Sequence, residues 1–207
     1  MIMTDTIMNW RRFLKRRNYS PNTVKNYLNI IRHFVIWVDV PLEDATHLTI
    51  SHYIDRLMRN RLAPKTINCH VNCIRQFYHY LRDEEGLAMT NPVRRSHIQK
   101  MSRPLPRHLR DEQVEDFFKV VKGYRDKAMF MLMLRCGLRV EEVANLTMGV
   151  IDVKRRTILV EDGKGGKDRI VYMSNDVLQS LLSFLKVRPA SRARKIFLSE
   201  KGESKGQ

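Results

Sequence analysis

Cysteine is scarce in this chain. Its three residues, Cys69, Cys73 and Cys136, cannot pair completely and show no regular spacing, which excludes a disulfide framework. Long apolar runs are missing as well. The longest clean one, from Ala128 to Leu134, falls far short of the roughly 20 residues a membrane-spanning helix requires. The opening MIMTDTIMNWRRF lacks the basic region, apolar block and small-residue cleavage site of a secretory signal. These absences predict a reduced, cytoplasmic protein with no membrane partner. Acidic residues are also under-represented, with 22 Asp and Glu against 38 Lys and Arg, a formal charge of +16. An excess of that size attracts polyanions. It does not choose among them, because ribosomal proteins, membrane-surface proteins and nucleases share it.

What is present organises into two halves, as 207 residues allow. Up to about Glu85 apolar residues recur at helical spacing: Trp10, Phe13 and Leu14; Tyr27, Ile30, Ile31 and Phe34; Ile54, Leu57 and Met58; Ile67, Val71, Ile74, Phe77 and Tyr78. Four helices fit, with breaks at Asn18 to Pro21, Val40 to Leu48 and Arg59 to Pro64. Two of them look alike. SPNTVKNYLNIIRHF (Ser20 to Phe34) aligns with APKTINCHVNCIRQF (Ala63 to Phe77), each led by a proline suited to a first helical turn. Convergence of two amphipathic bundle helices would produce the same pattern. The sharper expectation is that both expose a cationic face, Lys25 and Arg32 on one and Lys65 and Arg75 on the other, suited to a DNA groove.

Beyond Gly86 the periodicity fails. Asn91-Pro92, Pro104 and Pro106 interrupt a stretch holding Arg94, Arg95, Lys100, Arg103, Arg107 and Arg110, which reads as an extended basic linker able to follow a phosphate backbone. The predicted division is 1–90 as a helical DNA-binding domain, 91–108 as linker and 109–207 as a second domain. There, Asp111 to Val121 fits a short amphipathic helix, and Tyr124 to Arg135 a helix apolar almost all round and therefore central. Gly137 ends that helix.

A new helix begins near Leu138 or Arg139. An arginine at a helix start sits beside unpaired backbone N–H groups, where phosphate oxygens are readily held, and its guanidinium grips two oxygens at once. Glu142, three positions on, shares its face and can orient it. A local ion pair on a solvated face accounts for that spacing equally well. Next, Thr157 to Glu161, a glycine-rich turn and Arg169 to Met173 fit a β-hairpin. Its tip carries Lys164 and Lys167. A flexible lysine there could protonate a leaving-group oxygen, although an ordinary basic hairpin tip looks the same. The phosphate-cradling spacing GxxxxGK[ST] is absent.

Taken in order, the helical basic half with SPNTVKNYLNIIRHFVIW, the proline-broken linker, GLRVEEVANL and DGKGGKDRIVYM resemble the tyrosine recombinase (phage integrase) family along essentially the whole chain. The resemblance implies a mainly α fold with a small β-sheet: an N-terminal helical core-binding (SAM-like) domain followed by the first part of an α+β catalytic domain. It implies that Arg139 contacts a scissile phosphate with Glu142 supporting it. Lys164 would act as general acid toward the departing 5′ hydroxyl. Lys167 and Arg169, like Arg103 and Arg107 of the linker, are expected to contact DNA. No metal or other cofactor is implied, since arginines and a tyrosine nucleophile in that family perform the role of a metal clamp.

One departure weighs against full activity. Family members carry His-x-x-Arg, a further His or Trp, and a nucleophilic Tyr beyond the segment that Lys195 to Ser199 resembles. This sequence has no His after His108 and no Tyr after Tyr172. The expectation is therefore a DNA-binding protein of site-specific recombination and integration, truncated and catalytically incomplete as written. It would act on double-stranded DNA at an attachment site, as a homo-oligomer or beside a full-length recombinase. Two minor alternatives stand beside it. Cys69, Cys73, His70 and His79 lie on one helix and could be zinc ligands or core residues. Asp152, Asp162 and Lys164 could serve a metal-dependent nuclease.

Overall fold

The computed structural model describes residues 3–102, 105, 108–163 and 167–198, and divides into two compact units, Met1–Leu105 and Pro106–Gln207. The first unit holds α1 (Met3–Arg16), α2 (Pro21–Trp37), α3 (His47–Arg59) and α4 (Pro64–Asp83). Their limits follow from local chemistry. Pro21 and Pro64 open α2 and α4, where their missing N–H costs nothing, and the Ser20 hydroxyl accepts the Thr23 N–H at 3.2 Å. Asn18 and Arg61 take left-handed φ angles of 56° and 57° just past α1 and α3, turning the chain away from each helix end. The expected breaks fall at these places.

Aromatic packing fills this unit. Trp10 meets Phe77 edge-on at 5.0 Å and Phe34 meets Tyr53 edge-on at 5.1 Å, all four fully buried. The segment after α4 differs from the extended linker expected from residue 91. Met89 and Val93 are buried in the same core and Ile98 packs against it. Asn91 donates its side-chain amide to the Arg75 carbonyl at 2.9 Å. Asn68, itself buried, donates to the Gln99 carbonyl at 2.9 Å and accepts the Gln99 N–H at 2.8 Å. His97 accepts the Arg94 N–H on Nδ1 at 3.0 Å. The helix ends at Asp83 without stopping the chain from packing, because amide and imidazole groups satisfy the backbone that helix bonds no longer satisfy.

In the second unit, α5 (Asp111–Val120) and α6 (Tyr124–Cys136) precede the short α7 (Val140–Ala144). Strands β1 (Ile151–Asp152), β2 (Thr157–Gly163) and β3 (Lys167–Tyr172) form an antiparallel sheet in chain order, and α8 (Asn175–Val187) follows. Ile158, Val143, Leu132, Val177 and Ile196 are its fully buried centre. Helix α6 is apolar almost all round, as expected, yet only Ala128, Met131 and Leu132 are buried. Phe130 and Leu134 instead line a shallow apolar groove with Leu109 and Phe117. The Ile196 N–H donates to the Leu146 carbonyl at 2.8 Å and Arg188 holds the Lys195 and Ile196 carbonyls, each at 2.8 Å. That pins the last described segment beside the exit of α7. Among the described residues the protein is thus mainly helical with one small sheet.

Candidate functional site

The site begins at the end of α6. Gly137 adopts φ 64° and ψ 27°, a left-handed turn that any side chain would strain. The turn buries Leu138 and leaves Arg139 as the first residue before α7. One helical turn on, the Glu142 carboxylate folds back. It accepts the Arg139 backbone N–H on Oε2 at 2.7 Å and the Arg139 Nη1 on Oε1 at 2.7 Å.

A second arginine arrives from the sheet. Along β3, Arg169 and Val171 are partly covered while Ile170 and Tyr172 are exposed, the alternation that points neighbouring side chains to opposite faces. From the covered face Arg169 donates Nη1 to Glu142 Oε1 at 2.9 Å and Nη2 to Oε2 at 2.7 Å. Four donors thus fill a carboxylate with about four acceptor sites, and the parallel Arg169 pair is the strong two-pronged form. Held first by the Arg169 hydrogen bonds, against opposing burial, and then by the Arg139 N–H, the Glu142 carboxyl lies well below its ordinary range, at about 2. The side chain of Glu142 is only 11% exposed, that of Arg169 34% and that of Arg139 56%. Two cations around one anion leave the cluster with one net positive charge, presented to solvent through Arg139.

Other expected residues fall as follows. Lys164 lies outside the described residues, in the connection between β2 and β3; Gly163 and Lys167 face each other at its base, and Lys167 is exposed. In the first unit Lys25 and Arg32 line one open groove with Asn22, Asn26 and Asn29 of α2. Lys65 is exposed on α4, whereas Arg75 is half-buried where Asn91 docks on its carbonyl. Arg103 and Arg107 lie outside the described residues. Cys73 is buried and donates to the Tyr27 carbonyl, His70 meets the Tyr53 hydroxyl at 3.0 Å, and Cys69 accepts from Asn26. These contacts fit the core alternative for the cysteine helix.

The two halves match separate family models. Residues 107–207 match the phage integrase family and residues 7–86 the N-terminal SAM-like domain of phage integrases. The chain belongs to the tyrosine recombinase (phage integrase) family. It is 28% identical over 178 residues to tyrosine recombinase XerC of Bacillus subtilis (strain 168), covering 82% of this chain and 58% of that protein. With tyrosine recombinase XerA of Thermococcus onnurineus (strain NA1) it shares 28% over 192 residues, covering 90% of this chain and 63% of the relative. The chain therefore spans about six tenths of the length of these relatives. In fold it resembles the Tn1549 transposon integrase solved in complex with transposon right end DNA, with a TM-score of 0.75, 19% identity, and coverage of 94% of this chain and 71% of that one.

The nuclease alternative finds no support in these family matches. Asp152 accepts the Arg155 N–H at 2.8 Å and pairs with the same residue's guanidinium, capping its own turn. The Asp162 side chain lies outside the described set. Among the described residues no three His, Cys, Asp or Glu side chains converge as a metal site. Sequence reasoning missed two things. One is the partner of Glu142 on β3, since Arg169 was expected on DNA. The other is the docking of residues 89–99 through Asn68 and His97. Both signals were available, as polar residues in phase with an apolar face.

Proposed function

We propose that this protein engages double-stranded DNA at a recombination site, as a DNA-binding member of its family acting in site-specific recombination or integration in the cytoplasm. The observation that carries the reading is the Arg139 guanidinium, oriented by Glu142 through one of its nitrogens yet more than half exposed. Its remaining N–H groups suit the non-bridging oxygens of a phosphodiester. Lys164, on the connection after β2, would supply the proton to the 5′ hydroxyl. Lys25 and Arg32, in one groove with three asparagines, and Lys65 on α4 would meet the duplex from the helical unit, with phosphate contacts fixing register and the amides of Asn22 and Asn29 facing base edges. The Tn1549 transposon integrase, which shares this fold, is solved in complex with transposon right end DNA, which supports the same partner here.

Among the described residues, what this geometry offers a phosphodiester is the grip of Arg139. Tyr172, the tyrosine nearest in sequence to the lysine loop, follows Val171 on the exposed side of β3, opposite in phase to Arg169. It is 75% exposed and turned from the Glu142 cluster. The protein would occupy a site as a homo-oligomer or beside another member of its family. A band-shift against the flanking attachment site tests the reading. A shifted band is expected. No shift at low salt refutes the DNA reading.

A further inference from the structure

We propose that Arg169 is a positioning residue whose two-pronged grip on Glu142 keeps Arg139 available to a phosphate, rather than being itself a phosphate contact. The inference rests on the reading that Arg139 meets a DNA phosphate. It starts from a problem of charge. An arginine and a glutamate three residues apart on one helical turn form a neutral pair, and a lone carboxylate would draw the Arg139 fork into its own two-pronged contact. Arg139 would then offer a phosphate neither net charge nor a free pair of donors.

The structure shows the competition resolved in favour of Arg169. Its Nη1 and Nη2 take one Glu142 oxygen each, at 2.9 and 2.7 Å, leaving Arg139 a single side-chain bond to Oε1 beside its backbone bond to Oε2. Arg169 is the less exposed of the two cations, at 34% against 56%. One carboxylate therefore fixes the direction of Arg139 while its charge is offset from the sheet side. The same bonds tie α7 to β3, so the aim of Arg139 is set by two elements instead of one flexible turn.

The test is the salt dependence of binding to a fixed, non-specific duplex, read by fluorescence anisotropy for Arg139→Ala, Arg169→Ala and the double variant Arg169→Ala with Glu142→Gln. Each phosphate contact contributes about 0.9 to the log-log slope. Arg139→Ala should lower the slope by about that amount. Arg169→Ala should lower it equally, because Glu142 then captures Arg139, and adding Glu142→Gln should restore it. Arg169→Gln, which keeps a hydrogen-bond donor but no charge, should behave as Arg169→Ala and serves if the alanine variant does not fold. A slope lowered by Arg169→Ala and not restored by Glu142→Gln identifies Arg169 as a direct contact and overturns the proposal. An unchanged slope in Arg169→Ala, with Arg139→Ala lowered, overturns it while leaving the phosphate reading intact. An unchanged slope in Arg139→Ala removes the reading beneath it.

Discussion

Replacing Glu142 by glutamine should destabilise the second unit alone, and only above acidic pH. The carboxyl is held at about 2 against an ordinary 4.5, a displacement corresponding to about 3 kcal/mol if fully expressed. The open side of the cluster, where Arg139 meets solvent, screens part of it, leaving about 1 to 2 kcal/mol. Because the folded value is depressed, this stability is present above the unfolded value near 4.5 and is lost as pH falls toward 2. Spectroscopy can separate the units, since the chain's two tryptophans, Trp10 and Trp37, both lie in the first. Urea unfolding followed by tryptophan fluorescence should be unchanged in the variant. Far-ultraviolet circular dichroism should show the second transition moved to lower urea at pH 7, with the gap from the parent closing by about pH 2.5. A shift of equal size in the fluorescence transition, or a gap that persists at pH 2.5, would refute the assignment of that stability to the Glu142 carboxylate.

Other consequences are open to direct measurement. Limited trypsin digestion should cut between Gln99 and Arg110 and spare Arg94 and Arg95, which the docked segment holds; Asn68→Ala should expose them, and early cutting at Arg94 in the parent would contradict the docking. Lys25→Ala and Lys65→Ala should each weaken duplex binding by roughly two- to tenfold at low salt and lower the log-log slope by about 0.9, as anisotropy would report. Gly137→Ala forces a side chain into φ 64° and should cost about 1 kcal/mol or more in chemical denaturation, again without moving the tryptophan transition.

Much of the fold was legible because it rests on local signals that agree with packing. The four N-terminal helices appear with the proline starts and the breaks expected of them, and the hairpin forms where its glycine-rich turn sits between β-branched runs. Helix α6 shows the limit of composition. An all-round apolar face predicted a central helix, whereas Phe130 and Leu134 remain partly exposed over a groove. Composition says that a face is apolar and not whether anything covers it. The docked segment after α4 was obscured for the converse reason: its prolines and arginines look like solvated chain. What holds it is a handful of side-chain to backbone hydrogen bonds from residues 16 to 31 positions away, and such long-range partners leave no periodicity.

The candidate site was half legible, and the missing half had a phase. GLRVEE gave Arg139 and Glu142 by spacing, because residues three apart on a helix must share a face. Arg169 was counted with the exposed cations of its loop, yet strand alternation already placed it with Val171, on the side that packs inward. Asn68 likewise follows Ile67 into the core face of α4 and is buried there. A charged or amide group on an apolar face is costly unless a partner waits for it. Such a residue therefore predicts a specific contact: for Asn68 the backbone of Gln99, and for Arg169 the carboxylate of Glu142. On that argument the cationic residues of this chain divide by phase. Those in phase with the core, Arg169 above all, set geometry, while those out of phase, Lys25, Arg32 and Lys65, remain available to a polyanion. Neutralising an out-of-phase residue should change affinity and leave stability nearly constant, and neutralising Arg169 should change both.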